Sequence, residues 1–199
     1  AMRHDLPLVV TFHGYDVPVL MGTDVYKPEY WRYGLAWHIL KRRIDRFLAA
    51  SLDLRDLLLK LGAPPERVHL YHLGVDVPTY AREPVARDHV EVLMIGRIVE
   101  KKGHAYALRA FAQVARSGAP VRLVFLGDGG REASIRALAA ELGVADRVEF
   151  AGSVPHREVA RRLAQTDIVI APSVTAANGD RESGILVLTE AGASSLPVI

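Results

Sequence analysis

Apolar runs of strand length alternate with segments of helical periodicity from one end of the chain to the other. Strands that are nearly continuous in apolar residues must be covered on both faces, so the pattern predicts an α/β fold: Rossmann-like parallel sheets with helices on both faces. The first part reads as a strand at 8–12, a loop, a helix at 30–44 and a short strand at 46–50. A helix at 52–61 follows, with Ser51 as N-cap and Gly62 as its stop, then Pro64, Pro65 and a strand at 68–72. The second part is more regular. Strands at 90–95, 121–126, 147–150 and 168–171 are separated by helices near 103–116, 130–142 and 156–164, the order of a doubly wound domain.

Between the two parts, residues 74–89 carry Pro78, Pro84 and several charges without periodicity, the mark of a linker. The pattern therefore predicts domains at 1–76 and 90–199, joined by a linker at 77–89. A last helix near 184–193 leads into Leu196, Pro197, Val198 and Ile199, the opening of one more strand. A parallel strand is normally followed by a helix that covers it, so the second domain is expected to be truncated here.

With 199 residues, 50% of them hydrophobic, the chain can bury a substantial core. The absence of cysteine removes disulfides, thiolate metal sites and thiol catalysis, and suits a reducing cytoplasm. A net charge of +2, from 25 basic and 23 acidic residues spread along the chain, gives no concentrated footprint for nucleic acid. No apolar run reaches the roughly 18 residues of a membrane span, and residues 1–5 lack the apolar stretch of a secretion signal. The eight histidines, His13, His69, His72, His104 and His156 among them, show neither HExxH nor H-x3-H spacing, so no metal site is expected. The segment from His38 to Phe47 is basic and amphipathic. An ordinary helix with a solvated basic edge is the favoured reading, and peripheral contact with an anionic membrane the other.

In an open α/β sheet ligands bind beyond the carboxyl ends of the strands. After the strand ending at Ile95 comes Gly96, Arg97, Ile98, Val99, Glu100, Lys101, Lys102 and Gly103. A glycine permits close backbone approach there, and the arginine and lysine offer charge to an anion ahead of a helix N-terminus. A solvated basic loop is the alternative for such cations taken alone. After Leu126 comes Gly127, Asp128, Gly129 and Gly130, which lacks the G-x-G-x-x-G spacing and reads as a tight turn rather than a dinucleotide site. After Ala171 a loop leads to Glu182 and, eight residues on, Glu190. With a helix starting near Gly184, Glu182 stands at its mouth and Glu190 lies inside it. A carboxylate can accept both hydroxyls of a vicinal diol, while a solvated helix face is the plainer reading of any glutamate pair.

Taken together these stretches resemble family 4 glycosyltransferases. That family carries a Gly-Arg loop ending in Lys-Gly, here Gly96 to Gly103. It also carries an E-x7-E motif running into Pro-Val-Ile, here Glu182 to Ile199. Leu126-Gly127-Asp128-Gly129, Val148-Glu149-Phe150-Ala151-Gly152 and Ala171-Pro172-Ser173 recur in the family's order. The loop Ala177-Asn178-Gly179-Asp180-Arg181 and the segment Thr11-Phe12-His13-Gly14-Tyr15-Asp16 are similar to the subgroup that builds exopolysaccharides of the colanic acid and amylovoran type.

The resemblance implies the GT-B fold, with a partial acceptor-side domain at 1–76 and a nearly complete nucleotide-sugar-binding domain at 90–199. Family members also carry further sequence before Leu6 and after Ile199, so the chain is expected to be truncated at both ends. The implied activity is retaining transfer of a hexose from a UDP- or GDP-sugar to a saccharide or lipid-linked saccharide in cell-surface polysaccharide synthesis, with no cofactor beyond that donor. The alternative is a non-catalytic nucleotide-sugar-binding module that needs a partner or the missing segments. Carried over by position, Gly96, Arg97 and Lys102 would hold the diphosphate, Glu182 the transferred sugar and Glu190 the ribose. Backbone amides at Gly184 and Ile185 would lie against phosphate and sugar, the loop from Gly152 to His156 would border the base, and His13 would face the donor sugar. The protein is expected in the cytoplasm, or peripherally at the inner face of the membrane, and an uncovered sheet edge would favour self-association.

Overall fold

The computed structural model describes residues 6–14, 28–82, 85–182 and 185–199, and of 28–33 the backbone alone. Tyr15, Asp16, Pro84 and Gly184, singled out from the sequence, lie outside the described residues. The chain divides into two compact units, residues 1–73 and 74–199.

In the first unit, β1 (Val9–Phe12), α1 (Pro28–Arg43), β2 (Arg46–Ala49), α2 (Leu52–Lys60) and β3 (Val68–Leu70) form a parallel sheet of order β1-β2-β3 with its helices. Three aromatic rings meet in its core among aliphatic side chains. The Phe12 ring stacks on Phe47 at 5.9 Å, and Trp37 meets them edge-on at 6.2 and 6.1 Å. The sequence cap is present: the Ser51 hydroxyl accepts the Leu54 amide at 3.2 Å and so satisfies one orphan donor of α2. At the other end of α2 the Trp37 indole N–H donates to the Leu61 carbonyl at 3.0 Å.

The second unit comprises β4 (Val90–Ile95), α3 (His104–Arg116), β5 (Val121–Leu126), α4 (Glu132–Glu141), β6 (Val148–Gly152), α5 (His156–Ala164), β7 (Ile168–Val169) and α6 (Leu186–Ala193). The strands are parallel and ordered β6-β5-β4-β7. Strand β5 shows why its sequence is apolar at every position but one. Leu123 and Phe125 enter one core with Leu108, Phe111 and Ile135, while Val124 and Leu126 enter the other with Leu93, Leu163 and Val169. With period 2 and both faces covered, no position but Arg122 remains for solvent.

The structure shifts several element ends. Strand β6 runs on to Gly152, and β7 ends at Val169, although Ile170 still donates to Leu93 and Ala171 to Ile199. Val198 forms an isolated parallel bridge with Val169. The division between the units falls after Leu73, and the segment read as a linker holds a turn of 3-10 helix at Val77–Tyr80. Tyr80 is 4% exposed and packs into the core with Leu93 and Val124. Among the described residues no helix is long and apolar enough to cross a membrane.

Candidate functional site

The loop after β4 is fixed by its backbone. Gly96 N donates to Leu126 O at 2.9 Å, Ile98 N to Asp128 O at 2.7 Å, and Arg131 N to Ile98 O at 3.1 Å. Ile98 is fully buried beneath the loop, which leaves the neighbouring Arg97 side chain exposed. The glycine-rich turn after β5 owes its composition to this packing. At Gly127, with φ +138°, a Cβ would lie 2.3 Å from the Gly96 carbonyl oxygen, so only glycine lets the two loops meet backbone to backbone. Where they meet, Gly96, Arg97, Asp128, Ser153, Val154 and Val159 are among the residues lining a cavity of about 220 Å³ beyond the carboxyl ends of β4, β5 and β6.

The loop then makes a single turn of 3-10 helix at Glu100–Lys102 and enters α3 through Gly103 in the left-handed conformation. This turn is laced to the loop after β7. Val174 N donates to Lys101 O at 2.8 Å, and Ala177 N to the Glu100 carboxylate at 3.2 Å. Lys102 Nζ lies 2.9 Å from Glu182 Oε2, and Lys101 Nζ lies 3.1 Å from Asp180 and 3.5 Å from Glu182 Oε1. The Lys102 and Glu182 side chains are 19% and 14% exposed, so they are partly desolvated and held in charge-assisted contact. Lys102 also runs past Gly96, where a Cβ would be 3.0 Å from its Cε.

Glu190, in the second turn of α6, faces a different set of groups. It is 3% exposed, and its Oε1 accepts the Tyr80 hydroxyl at 2.9 Å. The Tyr80 oxygen also lies 3.0 Å from Nε2 of His156, the exposed first residue of α5. Burial, and then the Glu190 hydrogen bond and charge, push the Tyr80 phenol up to about 12.

The structure thus brings Lys102 onto Glu182 and past Gly96, places Gly96 and Arg97 on the cavity wall, and sets Glu190 with Tyr80 and His156. Glu182 stands four residues ahead of α6 rather than at its mouth. Ile185, expected in the helix, is its N-cap with extended backbone (φ −99°, ψ 90°), and α6 begins at Leu186. His13 is an exposed residue directly after β1 in the first unit. Lys101, Asp180 and Tyr80 were not marked by the sequence pattern. Lys101 and Asp180 stand within the quoted motifs, whereas Tyr80 offered only an aromatic residue in a stretch without period.

Residues 80–199 match the family described as Glycosyl transferases group 1, and residues 1–78 match Glycosyltransferase Family 4. The chain is 33% identical to WcaL of Escherichia coli K12, named for colanic acid biosynthesis, over 96% of this chain and 46% of that protein. It is 28% identical to the amylovoran biosynthesis glycosyltransferase AmsK of Erwinia amylovora, over the same shares. Among solved structures, HepE of Anabaena in complex with UDP and glucose superposes with a TM-score of 0.76 at 22% identity, covering 96% of this chain and 52% of HepE. The fold is therefore GT-B, and the chain spans about half the length of the curated relatives it matches.

Proposed function

The chain belongs to the group 1 glycosyltransferases, and from that premise we propose that its second unit binds a nucleoside-diphosphate sugar, from which the complete protein transfers a hexose to a saccharide or lipid-linked saccharide in cell-surface polysaccharide synthesis, with retention at the anomeric carbon. The observation that carries this reading is the cationic loop after β4, with Arg97 on the cavity wall and Lys102 drawn onto Glu182. In family order these residues meet the diphosphate and the sugar. The complexes of HepE with UDP and with UDP-glucose support a uridine nucleotide as donor.

As the bond from the anomeric carbon to the diphosphate breaks, negative charge grows on the leaving oxygen. Arg97 and Lys102 stabilise that charge without a proton transfer, which makes them electrostatic catalysts as well as clamps. Glu182 is suited to two tasks. It accepts sugar hydroxyls, and in the free protein its carboxylate holds the Lys102 ammonium at the site. Glu190 accepts the ribose hydroxyls.

Calorimetric titration with UDP, GDP and ADP tests the reading. One nucleotide is expected to bind, and Arg97→Ala to weaken it by about 1.5 to 3 kcal/mol through loss of a charge-assisted contact. Glu190→Ala is expected to cost about 1 to 3 kcal/mol. Nucleotide affinity that survives both substitutions in folded protein would remove the donor site from this loop and helix.

A further inference from the structure

We propose that Tyr80 is a positioning residue, whose hydroxyl, held between Glu190 and His156, orients the Glu190 carboxylate for the ribose of the donor. The inference rests on the donor-site reading given above. Tyr80 comes from the 3-10 turn at Val77–Tyr80, far from Glu190 in sequence but in the same unit. Its ring lies in an apolar core with Leu93, Val124, Leu126 and Val169, which a phenylalanine would fill equally well. Packing therefore accounts for the ring and leaves the hydroxyl to be explained. A buried phenol costs free energy unless its O–H has a partner, and this one has two.

The hydrogen bonds have a direction. Tyr80 has one hydroxyl proton and donates it to Glu190 Oε1 at 2.9 Å. The His156 Nε2, 3.0 Å from the same oxygen, must then be the donor, which makes a chain from His156 through Tyr80 to Glu190. With its pKa near 12, the phenol keeps that proton at neutral pH. Glu190 is 3% exposed and on a helix, so its remaining freedom is the rotation of its carboxylate. Fixing Oε1 fixes the carboxylate plane and hence the direction of Oε2. Two ribose hydroxyls fit a carboxylate only at a defined plane, so this restraint is worth more to a diol than to a single hydroxyl. The His156 ring is 69% exposed, with Nδ1 3.8 Å from Glu190 Oε1, and forms the outer end of the chain.

The test is titration of UDP, GDP and ADP, and of their 2′-deoxy counterparts, into the full chain and into Tyr80→Phe, with His156→Ala as a second, exposed variant. The wild-type chain is expected to prefer the ribonucleotide. Tyr80→Phe is expected to weaken the ribonucleotide about fivefold and to leave the 2′-deoxy form nearly unchanged, so that the preference collapses; His156→Ala should move it the same way by less. A preference kept in full by Tyr80→Phe overturns the inference and leaves the donor site standing. Equal weakening of both nucleotides also overturns it, since that is the signature of a merely structural tyrosine. Failure of the wild-type chain to bind any of the three diphosphates overturns the donor-site reading, and this inference with it.

Discussion

Gly103→Ala is expected to destabilise the second unit by roughly 2 to 5 kcal/mol, and to cost nucleotide binding as well. Two effects add. Gly103 has φ +79°, a conformation that costs an L-residue roughly 1 to 2 kcal/mol. A Cβ there would lie 1.9 Å from the Pro172 carbonyl oxygen and 2.9 Å from its carbon, and a backbone carbonyl cannot swing aside as a side chain can. The loops after β4 and β7 would have to part, at an overpacking cost of roughly 1 to 3 kcal/mol. Those are the loops joined by Val174 N to Lys101 O and by Lys102 to Glu182, so strain at the glycine reaches the site directly. Gly118→Ala is the control. Its φ is +85°, with nothing within 4 Å of the added Cβ, so it should lose only about 1 to 2 kcal/mol. Urea unfolding of both variants separates the terms, and equal losses would show that the approach of Pro172 is not tight.

That glycine also marks the limit of what could be read from the sequence. The strands of the second sheet were legible because parallel strands buried on two faces leave nearly continuous apolar runs, such as residues 121–126 with Arg122 as the one break. Helices with an apolar stripe and a cap signal, such as α2 after Ser51, were legible for the same kind of reason. Ends governed by tertiary pairing were not. Strand β7 ends at Val169 and α6 begins at Leu186, and no cap or break in the local sequence marks either point.

The candidate site shows the same division. Arg97, Lys102, Glu182 and Glu190 stand in spaced motifs and could be named, although their roles came from family resemblance rather than from periodicity. The Lys102 to Glu182 pair joins residues 80 apart, and Tyr80 to Glu190 joins residues 110 apart. Contacts of that range leave no pattern in a single chain. Gly127, read from the sequence as part of a tight turn, instead bridges to Gly152, and the reason only glycine fits there is the carbonyl of Gly96, which the local sequence does not reveal.

His104 should make the second unit sensitive to mild acid. It opens α3 directly after Lys102 and Gly103, is 3% exposed, and among the described residues neither ring nitrogen has a hydrogen-bond partner. Its ring meets Phe125 edge-on at 5.1 Å. Burial, and then the charge of Lys102, depress its pKa from 6.5 to about 4. Above pH 6.5 the imidazole is neutral in both folded and unfolded chains. Below that the unfolded chain takes up a proton that the folded one refuses, so stability is lost as pH falls towards 4, by about 3 kcal/mol in all. His104→Leu fills the apolar site without titrating. Carboxylates held low in the fold, such as Asp88 beside His89 and Glu158 beside Arg161, affect both proteins alike and cancel in the comparison. Urea midpoints taken from pH 7 to pH 4 should therefore diverge, with the wild-type chain falling more steeply. Parallel curves would mean that His104 finds a partner for its proton in the folded state.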